Sequence, residues 1–301
     1  MMQERWVDCD GIWVHTVEWV PEDVFPNASP VLLVHGLGGS TVNWDLVGAS
    51  LATTLGARVT AIDLPGFGRT RVHDRPSSFS VHRQLLTCLL MEHGPATIIG
   101  SSMGGALGVS IAATHPELVS NLVLLNAAFP RPRGDNNQLA RSAKFVALLL
   151  PSIATTVVRS RAHALGPKRL VDSSLNFLLA RPEELDPEVR RRLIALAAER
   201  MEHHEAAPAY THSGGTLLRY LMAGMGRDLG SVRCPTLVIH GELDRLVPVT
   251  FARTVAARRK DWRYVELADV GHAPQLEAPD EVVTLVADWL VSYDDIAVSQ
   301  A

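Results

Sequence analysis

The sequence predicts an α/β fold: a mostly parallel sheet with helices on both faces, interrupted by a block of helices. Three observations carry this. Short continuous apolar runs alternate with helical patterns up to Asn126. The alternation stops at Phe129-Pro130-Arg131-Pro132-Arg133-Gly134, and strand signals return at Pro235 after a stretch that reads as helices alone. Continuous apolar strands belong to parallel sheets, where helices cover both faces and neither meets water.

Gly11 to Trp19 alternates apolar and polar residues, which suits an antiparallel edge pair. Val31 to His35 is a continuous strand ending in Gly36-Leu37-Gly38-Gly39. A helix is expected from Trp44 to Leu55, then a strand from Arg58 to Asp63 running into Leu64-Pro65-Gly66-Phe67-Gly68. A helix near Val81 to His93 leads to the strand Ala96 to Gly100, a helix from Met103 to His115 and the strand Val119 to Asn126. In the helical block, Leu139 to Leu150, Lys168 to Leu179, Pro187 to Glu202 and Thr216 to Met225 carry apolar residues at helical spacing. Pro151, Pro167, Pro182 and Pro208 fall between or at the edges of these segments. The strand Pro235 to His240, a helix near Phe251 to Arg258, the strand Tyr264 to Leu267 and a helix from Pro279 to Leu290 complete the chain. The expected organisation is a core of residues 1–130 and 229–301, with a helical lid, 131–228, over the carboxyl edge of the sheet. That edge is where open α/β sheets place their sites.

Composition bounds the function. The formal charge of −4, from 28 basic and 32 acidic residues, gives no reason to expect nucleic acid. Arg190-Arg191-Arg192 reads as a solvated helix face. Cys9, Cys88 and Cys234 are odd in number, widely separated and without zinc spacing, so reduced thiols are expected. Residues Met1 to Asp10 lack the basic end and apolar run of a signal peptide, and the run Phe145 to Leu150 is far too short to span a bilayer. A cytoplasmic protein without stable membrane insertion is expected, with no metal or organic cofactor; a homodimer is left open.

The chemistry centres on Gly100-Ser101-Ser102-Met103-Gly104. A strand precedes it and a helix follows, the context in which a serine sits on a sharp strained turn with its hydroxyl projecting. Side chains at Gly100 and Gly104 would collide with neighbouring backbone, while Gly105, Ala106 and Gly108 let the helix approach the sheet. Serine attacks well once a base takes its proton and an acid orients that base. His272 and Asp244 are the candidates, each in a loop after a strand on the edge where Ser102 emerges. Glu242 comes early in its loop, Asp269 suits the turn before His272, His240 suits a structural role at a strand end, and His203-His204 read as part of a polar helix. The negative oxygen of a tetrahedral intermediate needs preorganised donors, worth roughly 3 to 4 kcal/mol each. The backbone N–H groups of Met103, which opens a helix, and of Leu37, in the glycine-rich turn, are placed to supply them.

The segments His35 to Gly39, Asp63 to Gly68, Gly100 to Gly105, Gly241 to Pro248 and Gly271 to Pro279 resemble signatures of the α/β-hydrolase superfamily, in that family's order. The resemblance covers nearly all of the chain outside residues 131–228. It implies the α/β-hydrolase fold, with a mostly parallel eight-stranded sheet; Ser102, Asp244 and His272 as catalytic triad; and Leu37 and Met103 as oxyanion donors. The Asp63 to Gly68 segment then shapes a loop without catalytic part.

Serine at position 102 sets the chain apart from family members that attack with a carboxylate, such as epoxide hydrolases and dehalogenases. A carboxylesterase acting on a small or medium hydrophobic ester or thioester is expected. The main alternative is a hydrolase of carbon–carbon bonds in dienoate ring-fission products. Those enzymes usually carry Asn before the serine and Trp after the histidine, where this chain has Ser101 and Ala273. A slow-turnover receptor of the same fold is a further alternative. Leu37, Trp44, Met103, Phe129 and Val247 are expected to line the substrate pocket, under lid faces carrying Phe145, Leu149, Phe177, Leu178, Leu217 and Leu221.

Overall fold

The computed structural model describes residues 2–25, 28–72, 76–132 and 151–299. Eight strands form one sheet: β1 (Met2–Cys9), β2 (Ile12–Trp19), β3 (Val31–Val34), β4 (Val59–Ile62), β5 (Ala96–Ser101), β6 (Val119–Leu125), β7 (Thr236–Gly241) and β8 (Arg263–Leu267). Their order is β1-β2-β4-β3-β5-β6-β7-β8. β1 and β2 pair antiparallel, β2 meets β4 antiparallel, and every neighbour from β4 to β8 is parallel. The chain winds one way from β3 to β4 and the other way from β5 onward. The carboxyl ends of β3 and β5 therefore flank the topological switch point, the crevice where such sheets bind ligands.

Burial follows position. Every residue of β3, β5 and β7 is buried, whereas β1 is exposed along nearly its whole length, as an edge strand is. On one face, α2 (Phe79–His93) and α3 (Met103–Thr114) pack Leu85, Leu86, Leu107 and Ile111 against Ile98, Leu122 and Leu124. On the other, α1 (Gly48–Leu55) and α10 (Pro279–Ser299) pack Leu51, Val282, Val286 and Trp289 against Leu33, Ile99 and Val123. Small residues bring α3 unusually close: a Cβ on Gly105 would lie 2.7 Å from that of Ala127, and one on Gly108 would lie 2.8 Å from Leu122.

Between β6 and β7 lie α4 (Pro151–Leu178), α5 (Pro187–Met201), α6 (Ala206–Ala223) and α7 (Met225–Ser231); α8 (Val249–Arg258) and the short α9 (Pro274–Glu277) come later. α4 breaks at Gly166, whose φ of 70° is followed by Pro167. Asp186 caps α5, accepting from the N–H groups of Glu188 and Val189 ahead of Pro187. Several expected helices differ: the one placed from Lys168 is the second part of α4, which already begins at Pro151. The helix placed from Trp44 starts at Gly48, since Thr41–Trp44 form a separate 3-10 turn. The helix placed from Thr216 starts at Ala206, and α7 was not expected at all. The segment Leu139 to Leu150, with Phe145 and Leu149, lies outside the described residues.

The inserted helices pack through an apolar cluster, with Leu175, Leu179 and Val189 against Val42, Ala273 and Leu276, and through polar contacts. Arg192 of α5 pairs with Asp45 at 2.6 Å and Arg190 pairs with Asp172 of α4 at 2.7 Å, so only Arg191 of this trio is the solvated arginine the sequence suggests. Arg200 donates to the carbonyls of Gly66 and Gly68 at 2.6 and 3.0 Å, and its guanidinium lies over the Phe67 ring. Ser213 of α6 sits 2.9 Å from His82 Nε2 and 2.8 Å from Ser77 Oγ, all three fully buried. Burial, with His35 adding to it, pushes the His82 pKa down to about 3 from 6.5.

His82 thus stays neutral in the fold where the unfolded chain would bind a proton. Stability rises with pH across that window and is lost as pH falls from about 6.5 toward about 3, at no more than about 1.4 kcal/mol per pH unit. His82→Gln is expected to flatten this dependence, so urea midpoints of the variant and wild type converge between about pH 7 and about pH 4. A gap that does not change with pH would show that His82 is not the titrating group.

Candidate active site

Ser102 stands between the last residue of β5 and the first of α3, with φ 52° and ψ −113°. A non-glycine residue holds such a conformation when its surroundings over-determine it. Here its N–H donates to Leu125 O at 3.0 Å, and its carbonyl accepts from Ala106 at 3.2 Å and Ala128 at 3.0 Å. The space for the turn comes from glycine. A Cβ on Gly100 would meet the Gly104 carbonyl group at 2.5 Å, and one on Gly104 would overlap the Val34 carbonyl oxygen. Gly36, just after β3, brings its turn against the serine: a Cβ there would lie 2.9 Å from Ser102 Cβ and 3.5 Å from Oγ.

Two further loops leave the same edge. Asp244 follows β7 and His272 follows β8, and His272 Nδ1 lies 2.7 Å from Asp244 Oδ2. With a hydrogen on Nδ1 facing the carboxylate, Nε2 is left with its lone pair. Asp244 is buried and well supplied with donors. Its Oδ2 also accepts from Asn126 Nδ2 at 2.7 Å, and its Oδ1 accepts from the N–H groups of Leu246 and Val247 at 2.8 and 2.9 Å. Burial alone would raise its pKa, but the His272 and His240 imidazoles and their hydrogen bonds outweigh that and hold the carboxyl well below its usual range. His240, fully buried, has Nε2 2.9 Å from Val247 O and 3.4 Å from Asp244 Oδ2, so it braces the loop from within the sheet.

Asn126 was not singled out in the sequence. It directly follows β6 with a φ of 43°, donates to Gly271 O at 2.9 Å as well as to Asp244, and accepts from Gly241 N at 3.1 Å. One buried amide thereby ties the ends of β6 and β7 to the histidine loop after β8. The available signal was a polar residue closing an otherwise apolar strand, Leu122 to Asn126.

Leu37, Ser102, Phe129, Val247 and His272 line one cleft, together with Phe177, Leu178, Leu217 and Leu221 of the inserted helices. Two expected pocket residues are elsewhere. Trp44 closes its 3-10 turn with a fully buried ring in the layer under α1 and α10, and the Met103 side chain is buried between α3 and the sheet. Met103 can therefore offer the cleft its backbone N–H at the start of α3 but not its side chain. Glu242 is exposed, and Asp269 takes a φ of 57° in its turn. His203 and His204, expected on a polar helix, sit in the turn between α5 and α6 and line the cleft.

Ser77, His82 and Ser213 form a second serine–histidine cluster. It is buried away from solvent, and among the described residues no carboxylate is hydrogen-bonded to His82, so nothing orients it as a base. Cys9, Cys88 and Glu92 have ligand atoms within 4.8 Å of one another where β1 meets α2; three ligands fall short of a structural zinc set, and none of them lines the cleft. The cysteines are free thiols. Among the described residues no helix is long and apolar enough to cross a membrane.

Comparison with known proteins agrees with this architecture. The family described as alpha/beta hydrolase fold matches residues 29–279. The chain is 30% identical over 279 residues to a pimeloyl-[acyl-carrier protein] methyl ester esterase of Aromatoleum aromaticum, covering 87% of this chain and 98% of that protein. It is 27% identical to a 2-hydroxymuconate semialdehyde hydrolase of Pseudomonas sp. strain CF600, covering 90% and 89% respectively. A putative lipase from Acinetobacter baumannii superposes with a TM-score of 0.78 at 22% identity, over 98% of this chain and 92% of that one. Sheet order, switch-point crevice and sequence agree: the chain is a hydrolytic enzyme of the α/β-hydrolase family.

Proposed function

We propose that the chain hydrolyses a carboxylic ester or thioester through an acyl-enzyme on Ser102, with His272 as general base and Asp244 as its orienting acid. The single observation that carries this reading is the 2.7 Å contact between His272 Nδ1 and Asp244 Oδ2, on a cleft that Ser102 also lines. In this scheme Ser102 Oγ attacks the ester carbonyl while His272 Nε2 takes its proton. The carboxylate of Asp244 stabilises the imidazolium, which then protonates the departing alkoxide or thiolate. Water repeats the sequence and releases the acid. The N–H groups of Leu37 and Met103 would hold the developing oxyanion, supported by the contact of Gly36 with Ser102 and by the N-terminus of α3.

Residues 131–228 serve in this reading as a cap over the cleft, presenting Leu178, Leu217 and Leu221 to a small or medium apolar substrate. The Aromatoleum relative, named as a methyl ester esterase, favours ester chemistry. Carbon–carbon cleavage is the second reading, favoured by relatives named 2-hydroxymuconate semialdehyde hydrolase. Ser101 and Ala273, where those enzymes usually hold Asn and Trp, weigh against it.

Ser102→Ala is expected to lower ester turnover by at least about 10⁴-fold, and Asp244→Asn by about 10³-fold or more, with folding retained. Unchanged turnover in Ser102→Ala would sink the assignment. A series of p-nitrophenyl esters of increasing chain length, assayed beside one dienoate ring-fission product, separates the two readings. Higher kcat/KM on the esters is expected; higher kcat/KM on the dienoate would replace the ester reading with carbon–carbon hydrolysis.

A further inference from the structure

The end of α4 and the loop carrying His272 are joined by a set of bonds that the triad itself does not require. The carbonyl of Leu178, the last residue of α4, accepts from the His272 N–H at 2.7 Å. Glu277, at the end of α9 and partly buried, sits beside this junction. Its Oε2 accepts from the Ala180 N–H at 2.6 Å, while its Oε1 accepts from Gly271 N at 3.0 Å and Ala273 N at 3.3 Å. One oxygen thus holds the inserted helices, and the other holds the residues on either side of His272. Packing is equally close: a Cβ on Gly271 would lie 2.5 Å from Leu178 O, 2.7 Å from Ala180 N and 2.9 Å from Glu277 Oε1.

A carboxylate accepts at both oxygens and donates at neither, which is the chemistry this junction needs. An amide in its place presents one NH₂ group, and whichever way it turns, that group faces a backbone N–H. Loss of either half removes the carboxylate's bridge and leaves the His272 N–H to Leu178 carbonyl bond as the remaining hydrogen bond of this junction. We propose that Glu277 is a positioning residue for His272: its carboxylate fastens the base's loop to the end of α4, so that the imidazole is set for reaction while the inserted helices are docked. This rests on the reading of His272 as the base. It makes docking of the helices and readiness of the base one event, although Glu277 itself touches no reacting atom.

Glu277→Gln tests this with p-nitrophenyl ester kinetics and with the rate at which a fluorophosphonate labels Ser102. The expected result is a kcat lower by about tenfold to a hundredfold, a KM within about twofold of wild type and a parallel fall in labelling rate, in a variant that still melts cooperatively. A folded variant with wild-type kcat and labelling rate overturns the proposal, as does a change confined to KM. Should the variant not fold, hydrogen exchange of the wild-type enzyme reads the same link. Peptides containing residues 178–181 and 270–274 are expected to exchange through one shared opening; independent exchange of the two overturns the proposal. Failure of the serine-hydrolase reading looks different: wild-type Ser102 would then resist the fluorophosphonate whatever occupies position 277.

Discussion

The turn at Ser102 is the constraint from which the rest of this site follows. A serine held at φ 52° and ψ −113° can persist only where the chain on either side is pinned. The pins are the Leu125 and Ala128 backbone on one flank and the close approach of β3 on the other. That approach requires glycine at 36, 100 and 104, and the packing of α3 onto the sheet requires it again at 105 and 108. The reversal of winding between β3 and β5 then leaves the crevice in which the hydroxyl can emerge.

Electrostatics completes what the backbone begins. The Asp244 carboxylate lies in the sheet's buried edge, where an unpaired charge would be costly. Donors from Asn126, Leu246, Val247 and the two imidazoles offset that cost and keep it ionised. An ionised acid fixed in this way sets the orientation and tautomer of His272. Because Asn126 also grips Gly271 O and Gly241 N, the loops carrying Asp244 and His272 share a buried anchor.

What could be read from the sequence, and what could not, divides along physical lines. Strands β3 to β7 were legible because burial leaves largely apolar runs, and the loops of Ser102 and Asp244 stood out because each follows such a run; β8, a half-exposed edge strand, gave a weaker signal ahead of His272. β1 went unseen since its side chains face solvent almost throughout and carry no apolar pattern. The first half of α6 hid in a run of small residues with Pro208, where periodicity gives little signal. Trp44 lay close to a motif in sequence but its ring packs into the core. Asn126 and Glu277 matter through partners far along the chain, Asp244 and Gly271 for the first and Ala180 for the second; a polar residue after an apolar strand and a place in the Gly271 to Pro279 segment mark the residues but not these partners.

Rapid quenching of the enzyme with a p-nitrophenyl ester, followed by mass analysis of the peptide containing Ser102, tests the central claim most directly. The account predicts a burst of nitrophenol and a peptide heavier by one acyl group on Ser102, both lost in Ser102→Ala. Full turnover with no acyl adduct at any quench time, or an adduct on another residue, would contradict it.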